Sequence, residues 1–330
     1  MRYYLGQTAT LNDTFTQAQF DRFAALTGDD NPIHVDPEFA ARTRFGKPVA
    51  HGMLLYSTIS RLLASHLPGP GSLQISQSLV FPAPTFVDEE LSISAEVLRI
   101  SSAHPGLVGP HLSRIINSPG RFLELNTTIT KADGTPACQG TTWVLTPGAG
   151  LSSLSYLLSY PGAEGASGSD YTGPKEMMNL ALGQSAHMTR TFTLEDLREY
   201  ADLAGDENPT LSQRLSQPLT QPLAQPDYAI KLGFDGPVIP AGLLGGLFSS
   251  LLGTRLPGRG TNWLKQSFDF HAPAYPGEEI SASVEITRLR PEKGLVNLRT
   301  ACTKATGELI CSGQALVLAP NPGDLRQVGL

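Results

Sequence analysis

Along FTQAQFDRFAALTG (residues 15–28), Phe15, Phe20, Phe23 and Leu26 fall on one face of a helix. Thr14 or Thr16 is placed to cap that helix and Gly28 to end it. DDNP follows and reads as a turn, because Asp and Asn bond nearby backbone and Pro32 bars helix continuation. From Gly52, GMLLYSTISRLLASHLPG is apolar on most sides, which predicts a long buried helix. SLQISQSLVFP, ELSISAEVLRI, RFLELNTTITKADG and PACQGTTWVL then have strand composition. LSISAEV alternates, and ADG is a hairpin signal. The order predicts an α+β unit in which a curved antiparallel sheet wraps a central helix.

The same pattern occurs twice. A shift of 177 places Leu5-Gly6-Gln7 on Leu182-Gly183-Gln184, Gly28-Asp29 on Gly205-Asp206, and Asn31-Pro32 on Asn208-Pro209. A shift of 189 places residues 67–100 on 256–289 with 15 of 34 positions identical. The difference, 189 − 177 = 12, is one insertion, which falls in the Pro/Gln stretch SQPLTQPLAQP at 216–226. The chain reads as a tandem duplication: residues 1–146, a Gly/Ser-rich linker at 147–174, and residues 175–330.

A length of 330 residues suits two such units, each able to bury a core. A net charge of −6 with scattered Lys and Arg argues against nucleic acid or an anionic membrane as partner. No run approaches the roughly 20 apolar residues of a membrane span. The N-terminus lacks the apolar stretch of a signal peptide, so a cytoplasmic protein is expected. Cys138, Cys302 and Cys311 form no C-x-x-C pair, and Cys138 and Cys311 match under the repeat as packing positions. With neither metal-ligand spacing nor a Gly-rich phosphate loop, no cofactor and no metal are expected.

FAALTGDDNPIHVDPEFAARTRFGKPVAHGMLLYSTISRLL (23–63) contains G-D-x-N-P-x-H and F-G-x-x-x-A-H-G-M-L. It resembles the MaoC-like, (R)-specific enoyl-CoA hydratase and 3-hydroxyacyl-thioester dehydratase family. The resemblance implies a hot-dog fold in each half, a double hot-dog that imitates the family's dimer within one chain. It implies a hydro-lyase acting on an acyl-CoA or acyl-carrier thioester, with Asp29 and His34 as the catalytic dyad. Adding water across the α,β double bond needs a base for water, an acid for the α-carbon and donors for the carbonyl oxygen. Asp29 and His34, five apart across a Pro-containing turn, can both face one water.

Other positions are read around that dyad. Asn31 braces the loop or helps hold the water. Gly52 opens the long helix, so its N–H and the helix dipole suit an oxyanion, and His51 shapes that helix start. Ser60, about two turns along, either reaches the site or bonds a backbone carbonyl. Arg42, Arg44 and Lys47 meet coenzyme A phosphates or form a solvated face.

The second copy keeps Asp206 and Asn208 but has Leu211 in place of His34 and Pro240 in place of His51. That is the expected outcome when one site decays and the fold is kept, which makes the second unit a structural, acyl-accommodating partner. In tandem members of the family the intact motif is commonly in the second half, whereas here it is in the first. Three readings stay open: a CoA-thioester hydratase, a carrier-protein or polyketide dehydratase, and a non-catalytic thioester-binding protein. A pseudo-dimer of this kind acts alone or associates further into a homodimer.

Overall fold

The computed structural model describes residues 3–102, 122–146, 173, 174, 176, 177, 179–206 and 234–320. The first repeat runs β1 (Thr8–Asp13), α1 (Gln17–Thr27), α2 (Pro32–Val35), α3 (Pro37–Ala41), α4 (Gly52–Ser65), β2 (Leu73–Val80), β3 (Leu91–Ser101), β4 (Phe122–Lys131) and β5 (Pro136–Leu145). After a short pair, β6 (Glu176–Met177) and β7 (Leu180–Ala181), the second repeat follows. It runs β8 (Ser185–Thr191), α5 (Leu194–Ala204), α6 (Ala241–Thr254), β9 (Asn262–Phe270), β10 (Glu279–Arg290), β11 (Leu295–Lys304) and β12 (Leu309–Leu318). The linker expected at 147–174 and the insertion expected at 216–226 fall almost wholly outside the described residues.

Ten strands form one antiparallel sheet in the order β1-β3-β4-β5-β2-β9-β12-β11-β10-β8. β2 and β9 join the two halves, with Ser78 opposite Ser267. Those two serines are equivalent under the repeat (267 − 78 = 189), so the seam is self-complementary and lies on a pseudo-twofold axis. The sheet wraps α4 and α6, which pack against each other inside it. Met53, Leu54, Tyr56, Ile59 and Leu62 of α4 and Leu243, Leu247, Phe248 and Leu251 of α6 are fully buried. Burying about 1.5–3 kcal/mol worth of apolar side chain at each such position makes these two helices the centre of one shared core. On the rim, Arg22 of α1 pairs with Glu199 at 2.6 Å and with Asp202 at 2.7 Å, both on α5.

Three details differ from the sequence reading. Thr16, not Thr14, caps α1, in a reciprocal capping box with Gln19. The turn at DDNP does not stay irregular: Pro32 occupies the first turn of α2, where a missing N–H costs nothing. Strand β1 was not expected, because in TATLND only Ala9 and Leu11 alternate with polar residues and both stay half-buried, too short an apolar signal to stand out.

Candidate active site

Asp29 sits where α1 stops. Gly28 takes a left-handed φ of 76° and donates to Ala24 O, which turns the chain inward. Asp29 is then 1% exposed, and Asn31 N–H approaches its Oδ1 at 3.4 Å. His34 follows on α2, which is tied to α1 by Gln17 Nε2 donating to the His34 carbonyl at 3.0 Å.

Hydrogen bonding fixes the state of both histidines. His34 Nδ1–H donates to Val49 O at 2.7 Å, so its Nε2 is left as a bare lone pair. That Nε2 lies 4.0 Å from Asp29 Oδ2, too far for a direct hydrogen bond and close enough for one water to touch both. His51 Nε2–H donates to Asp29 O at 3.1 Å, and its ring stacks on His34 with centroids 3.9 Å apart. The buried His51 Nδ1 has no partner.

Burial pushes the Asp29 carboxyl up from its ordinary value, against the opposing pull of His34 and the Ser249 hydrogen bond. Burial likewise lowers His34, with Asp29 pulling the other way. His51 falls well below the usual histidine range through burial and the neighbouring His34. The pair is therefore biased toward a neutral imidazole beside a protonatable carboxyl. Asp29, His34 and His51 also bring one ligand-type atom each within 4.8 Å of the others. One nitrogen of each ring is already committed to a backbone carbonyl, His34 Nδ1 to Val49 and His51 Nε2 to Asp29.

The other half of the chain completes the site. Ser249 of α6 donates from Oγ to Asp29 Oδ2 at 2.5 Å, and Ser250 donates to Gly28 O at 2.7 Å. Asn31 is braced by the second repeat: Gly260 N–H donates to its Oδ1 at 3.0 Å, and its Nδ2 approaches Thr261 O at 3.4 Å. A Cβ on Gly253 would stand 2.9 Å from both Asn31 and Asp29 Oδ1, so only glycine lets α6 approach this turn. Gly52 opens α4 against the Phe81 ring and faces the same space.

Ser60 is not brought to this site. It donates to Asp206 Oδ2 at 3.3 Å, the exact counterpart of the Ser249–Asp29 pair, since 249 − 60 = 189 and 206 − 29 = 177. Neither expectation for Ser60 holds, since it bonds a carboxylate of the other half and not a backbone carbonyl. Arg44 lines the site, Arg42 pairs with Glu38 at 3.8 Å, and Lys47 lies over the Phe86 ring.

A cavity of about 410 Å³ opens on Asp29, Asn31 and His34, walled by Gly52, Leu55, Phe81 and Thr85 from one half and Leu252 and Trp263 from the other. A second cavity of about 130 Å³ lies at the pseudo-symmetric position, walled by Ser60, Ser72, Phe234, Leu244, Phe270 and Ala274. Leu211, aligned with His34, is outside the described residues.

Comparison with known proteins agrees with this duplication. The MaoC-like domain matches residues 6–105, and the FAS1-like dehydratase domain region matches residues 182–312. The chain is 46% identical over 101 residues to the (R)-specific enoyl-CoA hydratase of Aeromonas caviae, spanning 31% of this chain and 75% of that protein. It belongs to the MaoC-like hydratase family. The (R)-specific enoyl-CoA hydratase of Rhodospirillum rubrum is 36% identical over 145 residues, 44% of this chain and 92% of that one. A solved MaoC-like dehydratase superposes with a TM-score of 0.68 at 16% identity, over 96% of this chain and 98% of its own. A Mycobacterium tuberculosis protein described as a double hotdog fold gives 0.68 at 16% identity, over 96% of each chain. The fold of this MaoC-like chain is the double hot-dog, α+β in class.

Proposed function

We propose that this chain adds water to trans-2-enoyl-CoA thioesters to give (R)-3-hydroxyacyl-CoA, or runs the reverse dehydration, at the Asp29–His34 cavity. The observation that carries the reading is the bare Nε2 of His34, 4.0 Å from Asp29 Oδ2 on one cavity wall. His34 Nε2 takes a proton from a water held between the two groups, and the water oxygen bonds to C3. The π pair moves toward the thioester carbonyl oxygen, which the Gly52 N–H at the start of α4 stabilises. The pair then returns to take a proton at C2 from the Asp29 carboxyl, and the proton on His34 restores Asp29. Asn31 braces the turn, and His51 holds the Asp29 backbone and covers one face of His34. The first repeat, residues 1–146, supplies the dyad, and the second supplies the opposing wall. The chemistry calls on no metal or redox cofactor.

Coenzyme A is the favoured carrier because the 46% identical relative bears that name. A mitochondrial 3-hydroxyacyl-[acyl-carrier-protein] dehydratase of Arabidopsis thaliana is 30% identical over 145 residues, which keeps a carrier-protein thioester as the second reading. Loss of enoyl-thioester ultraviolet absorbance, followed with crotonyl-, octenoyl- and dodecenoyl-CoA, tests both. Turnover by the wild type that vanishes in Asp29→Asn is expected. Silence on every CoA ester with turnover of an acyl-carrier thioester would move the assignment to the second reading.

A further inference from the structure

Two hydroxyls in the wall of the first cavity make no hydrogen bond within the protein: Thr85 Oγ1 and Thr261 Oγ1. Their residues are 2% and 4% exposed. A buried hydroxyl without a partner costs free energy, and a fold that keeps one beside a cavity keeps it for what enters there. The second cavity is an internal control. Ala274 stands at the counterpart of Thr85, and Ser72 at the counterpart of Thr261, each offset by 189. The Ser72 hydroxyl is occupied by Leu63 O at 3.4 Å, and that of Ser60 by Asp206 at 3.3 Å. Among the described residues, unpartnered hydroxyls thus mark one cavity and not its twin.

Position separates the two threonines. The Thr261 carbonyl accepts from Asn31, so this residue stands on the wall beside the dyad, where the water is handled. Thr85 stands beside the entry to α4: Ala50 N–H donates to Thr85 O at 2.7 Å, and the adjoining residues Val49 and Phe86 form a β-bridge. Gly52 begins α4 two residues beyond Ala50. Thr85 and Gly52 therefore line the cavity from adjacent segments.

We propose that Thr85 is a second donor to the thioester carbonyl oxygen, acting with the Gly52 N–H, and so a catalytic residue of the hydration proposed above. As the water oxygen bonds to C3 and the π pair moves onto the carbonyl oxygen, the Thr85 O–H and the Gly52 N–H share the developing charge. When the pair returns and C2 takes its proton, both hydrogen bonds relax. A donor used in this way strengthens in the transition state more than in the bound substrate, so its loss falls on kcat rather than on KM. The inference rests on the hydratase reading, and it names a residue that the second repeat has replaced by alanine.

Thr85→Val removes the hydroxyl while keeping the side-chain shape, and Thr85→Ser keeps the hydroxyl while trimming a methyl. With crotonyl- and octenoyl-CoA, Thr85→Val is expected to lower kcat by at least about tenfold with KM within about twofold of wild type. Thr85→Ser is expected to retain most of kcat, and thermal melts confirm that both variants fold. An unchanged kcat in Thr85→Val overturns the proposal, as does a rise in KM alone. Equal losses in the Val and Ser variants would mark a packing effect and overturn the donor assignment. Wild-type silence on every enoyl thioester would sink the hydratase reading and this inference with it. Wild-type turnover beside an indifferent Thr85→Val would sink only this inference.

Discussion

The first cavity and its twin keep the same carboxylate–serine pair across the same helix contact, Asp29 with Ser249 and Asp206 with Ser60. They part at the groups that move or polarise protons. Where the first cavity has Gly52 and Thr85, the second has Ala241 and Ala274, and His51 behind the first is matched by Pro240 in the second. Ala50, beside the helix start, is replaced by the larger Ile239, and the second cavity is about 130 Å³ against about 410 Å³. The shared pair is therefore part of how a hot-dog turn docks on its neighbour's helix. On the reading proposed above, proton chemistry is an addition to that docking, made on one side of the axis.

The comparison breaks most sharply at the dyad. His34→Ala and Asp29→Asn are each expected to reduce turnover by about 10²–10⁴-fold, the usual contribution of a positioned acid or base. Asp206→Asn, the mirror change, is expected to leave activity within about twofold, since it alters only the twin. Steady-state rates for the three variants, with circular dichroism as the check on folding, decide the matter. Equal losses at Asp29 and Asp206 would end the division of labour between the halves.

A smaller effect is expected from the serines. Ser249→Ala removes the 2.5 Å hydrogen bond that orients Asp29 Oδ2. A hydrogen bond to a charged or ionisable group contributes about 1.5–3 kcal/mol, so kcat/KM should fall by about ten- to a hundredfold. Ser60→Ala makes the same cut in the twin and should leave kcat/KM within about twofold. Measuring both on one enoyl-CoA separates a site built across the axis from one confined to a single repeat.

These serines also show how far the sequence could be read. The closeness of Asp29 and His34 was legible because they are local: a helix stop, a turn and a histidine five positions on place them together without any long-range contact. The strands that alternate and the apolar α4 were legible for the same reason, since each writes its burial into its own period. Ser249 is contributed from 220 residues away, and no local pattern announces it. The one signal available was the repeat itself, since a shift of 189 maps Ser60 onto Ser249 and a dimer-like fold faces each turn to the other helix. Thr85 and Thr261 left no signal, because a threonine in FPAPT or GTNW reads as an ordinary loop or strand residue until its missing partner is seen.

Backbone approach gives a third, gentler break. Gly253 lies where a Cβ would come within 2.9 Å of Asn31 and Asp29, while the matching position in α4 is Ala64, which the twin accommodates. Gly253→Ala should push the turn from α6 and lower kcat/KM by about tenfold, although alanine favours the helix by about 1 kcal/mol. Ala64→Gly should leave kcat/KM unchanged and lower stability by about 1 kcal/mol through helix propensity alone. Activity lost only in Gly253→Ala, with both variants folded, would show that the glycine serves the site and not the helix. A Gly253→Ala variant with full activity would show instead that the turn can give way at no functional cost.

The faintest effect concerns stability against pH, and it follows from burying Asp29. Its folded carboxyl is raised above the unfolded value near 3.8, so the folded state holds that proton more tightly. The resulting contribution is fully present below the unfolded value and is lost as pH rises through the raised folded one. As pH rises above the unfolded value, the wild type therefore carries the cost of that buried carboxyl, and Asp29→Asn does not. Asp29→Asn should melt higher than wild type at pH 8, and the difference should shrink as the pH falls toward 4. His34 runs the other way: its folded value lies below 6.5, so its stabilising share is present above that value and fades as pH falls through the lowered one. A wild type that melts higher than Asp29→Asn at pH 8 would mean that Ser249 and His34 together outweigh burial, and that Asp29 is held ionised.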